Sequence, residues 1–337
     1  MVFPFLLAPM AELSHRPLRE LIEEFGGCSE YYTEMISAGA FIAAGPFETW
    51  YADAGPCPAK VVYQLIGHDD VALARAAGIL DNRDCLGIDI NMGCSAPAIT
   101  RTGAGVRWMA DLDKAGTMIA LVRKAVKRRL SVKLRTGLAD NFEYLLDFCR
   151  RLEAEGVERI TLHPRTAKEK FKRTARWEYV AALRRELGIP VAGNGDIASA
   201  AEMLRRALPQ GGAGGACPVM IGRLAVRQPW VFARAQAEAG EQDRQTGVGG
   251  PPANARFPAD LEKTGLRFLE LLTRHQPREF YLSRARRFFG YFCGNLKWAN
   301  YVKTLLNRET DLAGLERAWQ GYFREHPEEK FETIPAR

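Results

Sequence analysis

The sequence predicts a closed (β/α)8 barrel, an α/β TIM-barrel fold, followed by a small C-terminal all-α bundle. Three observations carry the prediction. Eight short apolar or β-branched runs recur along the first two-thirds of the 337 residues. Helical patterns lie between most of them, and polar residues gather where the runs end. Strands alternating with helices form a parallel sheet with helices outside it, and eight such units suit a barrel of about 250 residues. A doubly wound open sheet is the runner-up.

The runs are Phe5–Met10, Tyr31–Ile36, Ala59–Ile66, Leu86–Met92, Leu130–Arg135, Arg159–Pro164, Pro190–Gly195 and Val219–Arg223. Helical spacing follows in Arg16–Phe25, Asp70–Leu80, Leu112–Val126, Phe142–Glu155, Arg176–Leu187 and Ile197–Leu208, several opening near Asp or Ser. The connection Ser37–Phe47 has the weakest helical pattern. A barrel domain over 1–239 is expected, then a Gly- and Pro-rich linker over 240–257. A helical domain over 258–337 carries four helical patterns: Ala259–Arg274, Glu279–Phe292, Lys297–Asn307 and Asp311–Arg324.

With 47% hydrophobic residues the chain is too apolar to be disordered. No apolar run approaches the ~20 residues of a membrane span, and the opening stretch reads as a strand rather than a signal peptide. The seven cysteines are scattered without a C-x-x-C pair, which argues against a disulfide framework and against a zinc or iron–sulfur site. A cytoplasmic, reduced protein is expected, with no metal, no membrane and no protein partner, as a monomer. The net charge of +7 is too mild to name a partner by itself.

Barrel chemistry gathers at strand C-terminal ends. There the sequence places Pro9, Met10 and Ala11; Glu34; Gln64; Asn91 and Cys94; Lys133 and Arg135; His163 and Arg165; Asn194, Gly195 and Asp196; and Gly222 with Arg223. Gly193–Ala198 formally matches G-x-G-x-x-[GA]. After Glu202, however, no acidic residue follows until Glu238, so the Rossmann reading fails. The glycines still allow backbone N–H groups to approach an anion. A phosphate held by the turns after strands 7 and 8 competes with plain tight turns. Lys133, if buried, needs an anion, whether Glu34, Asp89 or a cofactor. His163 is either a core histidine or part of the mouth. Cys94 opens a long connection reaching Gly103-Ala-Gly105. A thiol has a usual pKa of about 8.5 and is mostly protonated at neutral pH, so a general acid is favoured over a nucleophile.

Together these motifs resemble the dihydrouridine synthases, flavoenzymes that reduce selected uridines in tRNA. The resemblance runs through APMAELSHRPLR, YYTEMISAGA, the Gln of VVYQLIG, DINMGC, SVKLRTG, TLHPRT, VAGNGDI and VMIGR, followed by a helical tail. It implies FMN at the mouth of a TIM barrel, NADPH as its reductant, and a helical domain that grips RNA. Pro9, Met10 and Ala11 would pack against the flavin, and Gln64, Lys133 and His163 would contact it. Asn194, Gly195, Asp196, Gly222 and Arg223 would hold its phosphate. Hydride would pass to uridine C6 while Cys94 protonates C5. Asn91, Glu34, Arg135 and Arg165 would meet the substrate. Where the family writes Gly-Cys-Pro, this chain has Gly93-Cys94-Ser95, with proline displaced to position 97. Serine frees φ there and suggests a more mobile loop.

Charge distribution fits an RNA partner. Residues 165–176 hold six basic residues against Glu169 alone. Residues 263–308 carry ten basic and two acidic residues, interleaved with aromatics that are mostly bundle core, with one or two available to stack on bases. Without that segment the chain has a charge of −1. Two other readings compete: a flavin barrel reducing a free pyrimidine, which the basic tail disfavours, and a non-catalytic RNA-binding module, which has no use for Cys94 and Lys133. Neither the uridine position nor tRNA over ribosomal RNA is written in the residues.

Overall fold

The computed structural model describes residues 3–170, 172–208, 215–245 and 259–332. Its strands are β1 (Phe5–Leu7), β2 (Glu30–Tyr32), β3 (Ile36–Ser37), β4 (Val61–Ile66), β5 (Gly87–Met92), β6 (Arg129–Gly137), β7 (Arg159–Thr166), β8 (Val191–Asn194) and β9 (Val219–Ile221). All pair in parallel. Pairing runs β1–β2–β4–β5–β6–β7–β8–β9 and returns to β1, where Phe5 meets Val219. The sheet is therefore closed, with eight positions, and the doubly wound alternative falls.

The second predicted strand differs from expectation. Tyr31–Ile36 splits into β2 and the two-residue β3, which pairs only with β4. At the break a side chain replaces part of the ladder: the Gln64 N–H donates to Thr33 Oγ1 at 3.0 Å. The connection that follows holds two short helices, Ala38–Ile42 and Glu48–Tyr51. Elsewhere the polar residue ahead of a helix caps it. Asp69, Asp111, Asn141 and Ser199 accept the backbone N–H groups of Ala72, Lys114, Tyr144 and Glu202. Each such cap is worth about 1 kcal/mol.

Inside the barrel, Leu6, Ala8, Tyr32, Val62, Ala192 and Met220 form a small apolar plug. At the strands' N-terminal end Arg129 and Arg159 both donate to buried Glu30, at 2.6 to 2.9 Å. Burial pushes this carboxyl up, but the two guanidiniums hold it below its usual range. The plug and this ion cluster close the bottom of the barrel, leaving the C-terminal end for chemistry.

The tail forms four helices: Leu261–His275, Tyr281–Phe292, Ala299–Arg308 and Leu312–Glu325. Phe268 stacks on Phe288 with ring centroids 3.7 Å apart, and Trp319 packs on Phe289 and Phe292. This core is continuous with that of the barrel's outer layer. The Val231–Gln245 helix crosses the expected boundary at 239–240, and 246–258, most of the expected linker, lies outside the described residues.

Candidate active site

A cavity of about 490 Å³ opens at the C-terminal ends of the strands, within the usual range for small-molecule sites. Pro9, Met10 and Ala11 after β1 form one wall. Asn194, Gly195 and Asp196 after β8 face Gly222 and Arg223 after β9. Asn91, Cys94, Lys133, Arg135, His163 and Arg165 complete the lining from β5, β6 and β7. Of the predicted site residues, only Gln64 and Glu34 do not line it.

Cys94 is half-buried and its backbone is held in place. Asn91 Oδ1 accepts the N–H groups of Gly93 at 3.0 Å and Cys94 at 2.9 Å. The Cys94 carbonyl accepts the Val106 N–H at 3.0 Å. Gly105 permits that approach: its φ is +62°, and a Cβ there would lie 2.5 Å from the Cys94 carbonyl oxygen. Displaced Pro97 begins the short Pro97–Thr100 helix, where a missing N–H costs nothing.

Beneath the thiol a buried chain of hydrogen bonds explains why Gln64 is not at the surface. Asn91 Nδ2 donates to Gln64 Oε1 at 2.8 Å, and Gln64 Nε2 donates to Asp89 Oδ2 at 2.7 Å. Ser131 Oγ donates to Asp89 Oδ1 at 2.6 Å. The two backbone donors fix the orientation of the Asn91 amide, which in turn fixes Gln64. Burial pushes the Asp89 carboxyl up to about 6, partly offset by Ser131 and Gln64. Gln64, expected to contact the flavin, has both ends of its amide hydrogen-bonded inside the barrel. Asn91 lines the cavity, and its amide oxygen holds the Cys94 loop.

The cavity is strongly cationic. Lys133, Arg135, Arg165, Arg223 and Arg287 line it, and among the described lining residues Asp196 is the sole carboxylate. Arg165 binds that carboxylate through Nη2 at 2.5 and 2.6 Å. Burial alone would raise the Asp196 carboxyl, but Arg165 and the Ala175 N–H hold it below its usual value. Arg165 Nη1 also lies 3.0 Å from His163 Nε2. A guanidinium only donates, so that nitrogen is an acceptor and the ring is neutral. Burial, then Lys133, Arg135, Arg165 and Arg223, push the His163 pKa down to about 2. Arg165 and the Asp196 side chain are therefore turned toward each other within the cavity wall. Arg135 donates to the carbonyls of Gly93, Thr166 and Lys170, tying the Cys94 loop to the basic loop after β7.

Lys133 differs from these arginines. No described residue accepts a hydrogen bond from its ammonium, because Ser131 and Gln64 occupy Asp89 and Arg284 occupies Glu34. Burial, then Arg135, lower its pKa from the usual 10.5 to about 8. Glu34, expected at the substrate, is 2% exposed and paired with Arg284 at 2.9 Å. Among the lining residues that the sequence did not mark are Arg287 and Tyr291, both from the Tyr281–Phe292 helix. Their spacing of four places them on one helix face, but nothing in the sequence tells which face meets the barrel.

A parallel barrel with a cationic mouth and a pinned thiol at a strand end defines an enzyme of the TIM-barrel class. The pattern of the family described as dihydrouridine synthase (Dus) matches residues 6–307, and the chain belongs to this family of oxidoreductases. It is 36% identical over 237 residues to a probable tRNA-dihydrouridine synthase of Rhodobacter capsulatus, covering 69% of this chain and 71% of that one. A tRNA-dihydrouridine(16) synthase of Cupriavidus necator is 27% identical over 327 residues, covering 94% of this chain and 96% of that one. Among solved structures, a 2-naphthoyl-CoA reductase complex shares the fold with a TM-score of 0.51 at 10% identity, over 68% of this chain and 49% of that one.

Proposed function

We propose that the chain reduces uridine to 5,6-dihydrouridine in tRNA, at position 16, with FMN as its cofactor and NADPH as reductant, in the cytoplasm. The observation that carries this reading is the placement of a pinned thiol at the rim of a cationic cavity. The residues fit a planar, phosphate-bearing group. A Cβ on Gly195 would stand 2.9 Å from His163 Cδ2, and one on Gly222 would stand 3.3 Å from Met10 Sδ. Both glycines let their turns close on other residues of the cavity wall, and the cavity's cations outnumber its carboxylate.

When bound, FMN supplies a hydride donor. Pro9, Met10 and Ala11 would wall it, Lys133 would supply positive charge against its ring, and Asn194, Gly195, Gly222 and Arg223 would take its phosphate. Cys94 carries a proton on Sγ and delivers it to C5 of the uracil. Asn91 orients that thiol by holding its backbone. The target uridine has to leave its stack to reach the cavity. Exposed Lys168, Lys170, Lys172 and Arg173 beside the mouth suit the RNA backbone. Trp298 and Tyr301, 50% and 55% exposed, suit stacking on bases. Position 16 is supported by the relative of that name, which aligns through the helical region as well as the barrel.

Dihydrouridine mapping in a deletion strain tests the reading. Loss of the base at position 16, restored by the wild-type gene, is expected. An unchanged map, together with purified protein that takes up no FMN, would refute it.

A further inference from the structure

One carboxylate is shared by the cavity wall and the helical region. Glu34 Oε1 accepts the Glu12 N–H at 2.5 Å, and Oε2 accepts from Arg284 Nη1 at 2.9 Å. Glu12 follows the wall residues Met10 and Ala11, and its φ of +63° is one that a non-glycine residue keeps only when its surroundings hold it. Arg284 is 2% exposed and lies over the Phe280 ring, 4.5 Å from its centroid. Three and seven residues further along the same helix, Arg287 and Tyr291 reach the cavity. Those spacings share one helix face, so fixing Arg284 fixes how the other two are presented.

A pair this deeply buried is not needed for stability, since apolar residues of similar volume often serve as well. What it does specify is a register between two parts. We propose that Glu34 is a positioning residue that pins the Pro9–Glu12 wall to the Arg287–Tyr291 helix face, so that cofactor and RNA strengthen each other's binding through it. The proposal rests on the reading of FMN and RNA as ligands given above. FMN would meet the Pro9–Ala11 wall, and the target base entering the same cavity would meet Arg287 and Tyr291, so ordering spent on the first ligand need not be spent on the second.

The test is the affinity of the full-length protein for an unmodified tRNA transcript, by filter binding, with and without saturating oxidised FMN. For wild type, FMN should tighten RNA binding by about fivefold or more, the lower end of usual coupling. The double variant Glu34→Gln/Arg284→Met removes both charges together. It should still bind each ligand, with coupling below about twofold. Arg284→Lys keeps a cation but loses the planar contact with Phe280. It should show intermediate coupling, and it decides the matter if the double variant does not fold. Wild type that binds both ligands without coupling overturns the pin alone, as does full coupling in the deciding variant. Wild type that binds no FMN overturns the functional reading and the pin with it.

Discussion

The barrel mouth and the helical region both gather basic residues, but they use them in opposite ways. At the mouth, Lys133, Arg135, Arg165, Arg223 and Arg287 face one cavity with a single carboxylate. In the helical region two of the ten cations turn back to the barrel. Arg267 meets Glu24 at 2.6 Å and Arg284 meets Glu34 at 2.9 Å. Part of the tail's positive charge thus docks the bundle. On the proposed reading, RNA would meet the exposed residues of the loop after β7 and of the Lys297–Tyr301 segment.

Several substitutions would break this contrast, beginning with the largest effect. Arg284→Met alone leaves Glu34 buried without its cation and should cost about 3–5 kcal/mol, read by chemical denaturation. A cost under ~1 kcal/mol, the scale of an exposed pair, would mean that docking does not depend on this ion pair. At the mouth, Asn91→Leu strands two backbone donors, at about 1–3 kcal/mol for each one left unsatisfied. It should also speed alkylation of Cys94 by releasing its loop. An unchanged alkylation rate would count against the pinned thiol.

Charge removal on the loop after β7 should act on RNA and not on the fold. With Lys168, Lys170, Lys172 and Arg173 all changed to Gln, the slope of log affinity against log salt should fall by up to about 3–4. An unchanged slope would move the RNA elsewhere. The last effect concerns pH. Lys133 keeps its proton to about pH 8 when folded and to its usual 10.5 when unfolded. Between these values the unfolded chain binds more protons, so stability rises with pH. The cost of burying the charge is fully present below pH 8 and fades as pH climbs through that window. Lys133→Met should remove this rise from the denaturation midpoint, and a rise of equal size in the variant would assign it to other groups.

Most of the fold was legible because its signals are local. Strand runs, helical spacing and polar caps act within a few residues, and glycines at 195 and 222 mark close backbone approach wherever the chain goes. Glu34 was not legible. Alternation places it on the same face as Tyr32, which does point into the barrel, but the break at Thr33 ends the pleat before Glu34 is reached. Gln64 does follow the alternation of Val62 inward. Its neighbour across the sheet, Asp89, claims its amide, and such cross-strand pairing has no mark in a single sequence. Arg287 and Tyr291 depend on how two regions dock, which no local pattern encodes.

The central claim is that Cys94 supplies the proton from the rim of the cavity. Its most direct test is dihydrouridine formation in tRNA transcripts by purified wild type and Cys94→Ala, with FMN and NADPH, alongside FMN affinity. A positioned general acid contributes typically 10²–10⁴-fold, so the variant should lose at least about 100-fold in turnover while binding FMN as wild type does. Turnover within a few-fold of wild type would contradict the account.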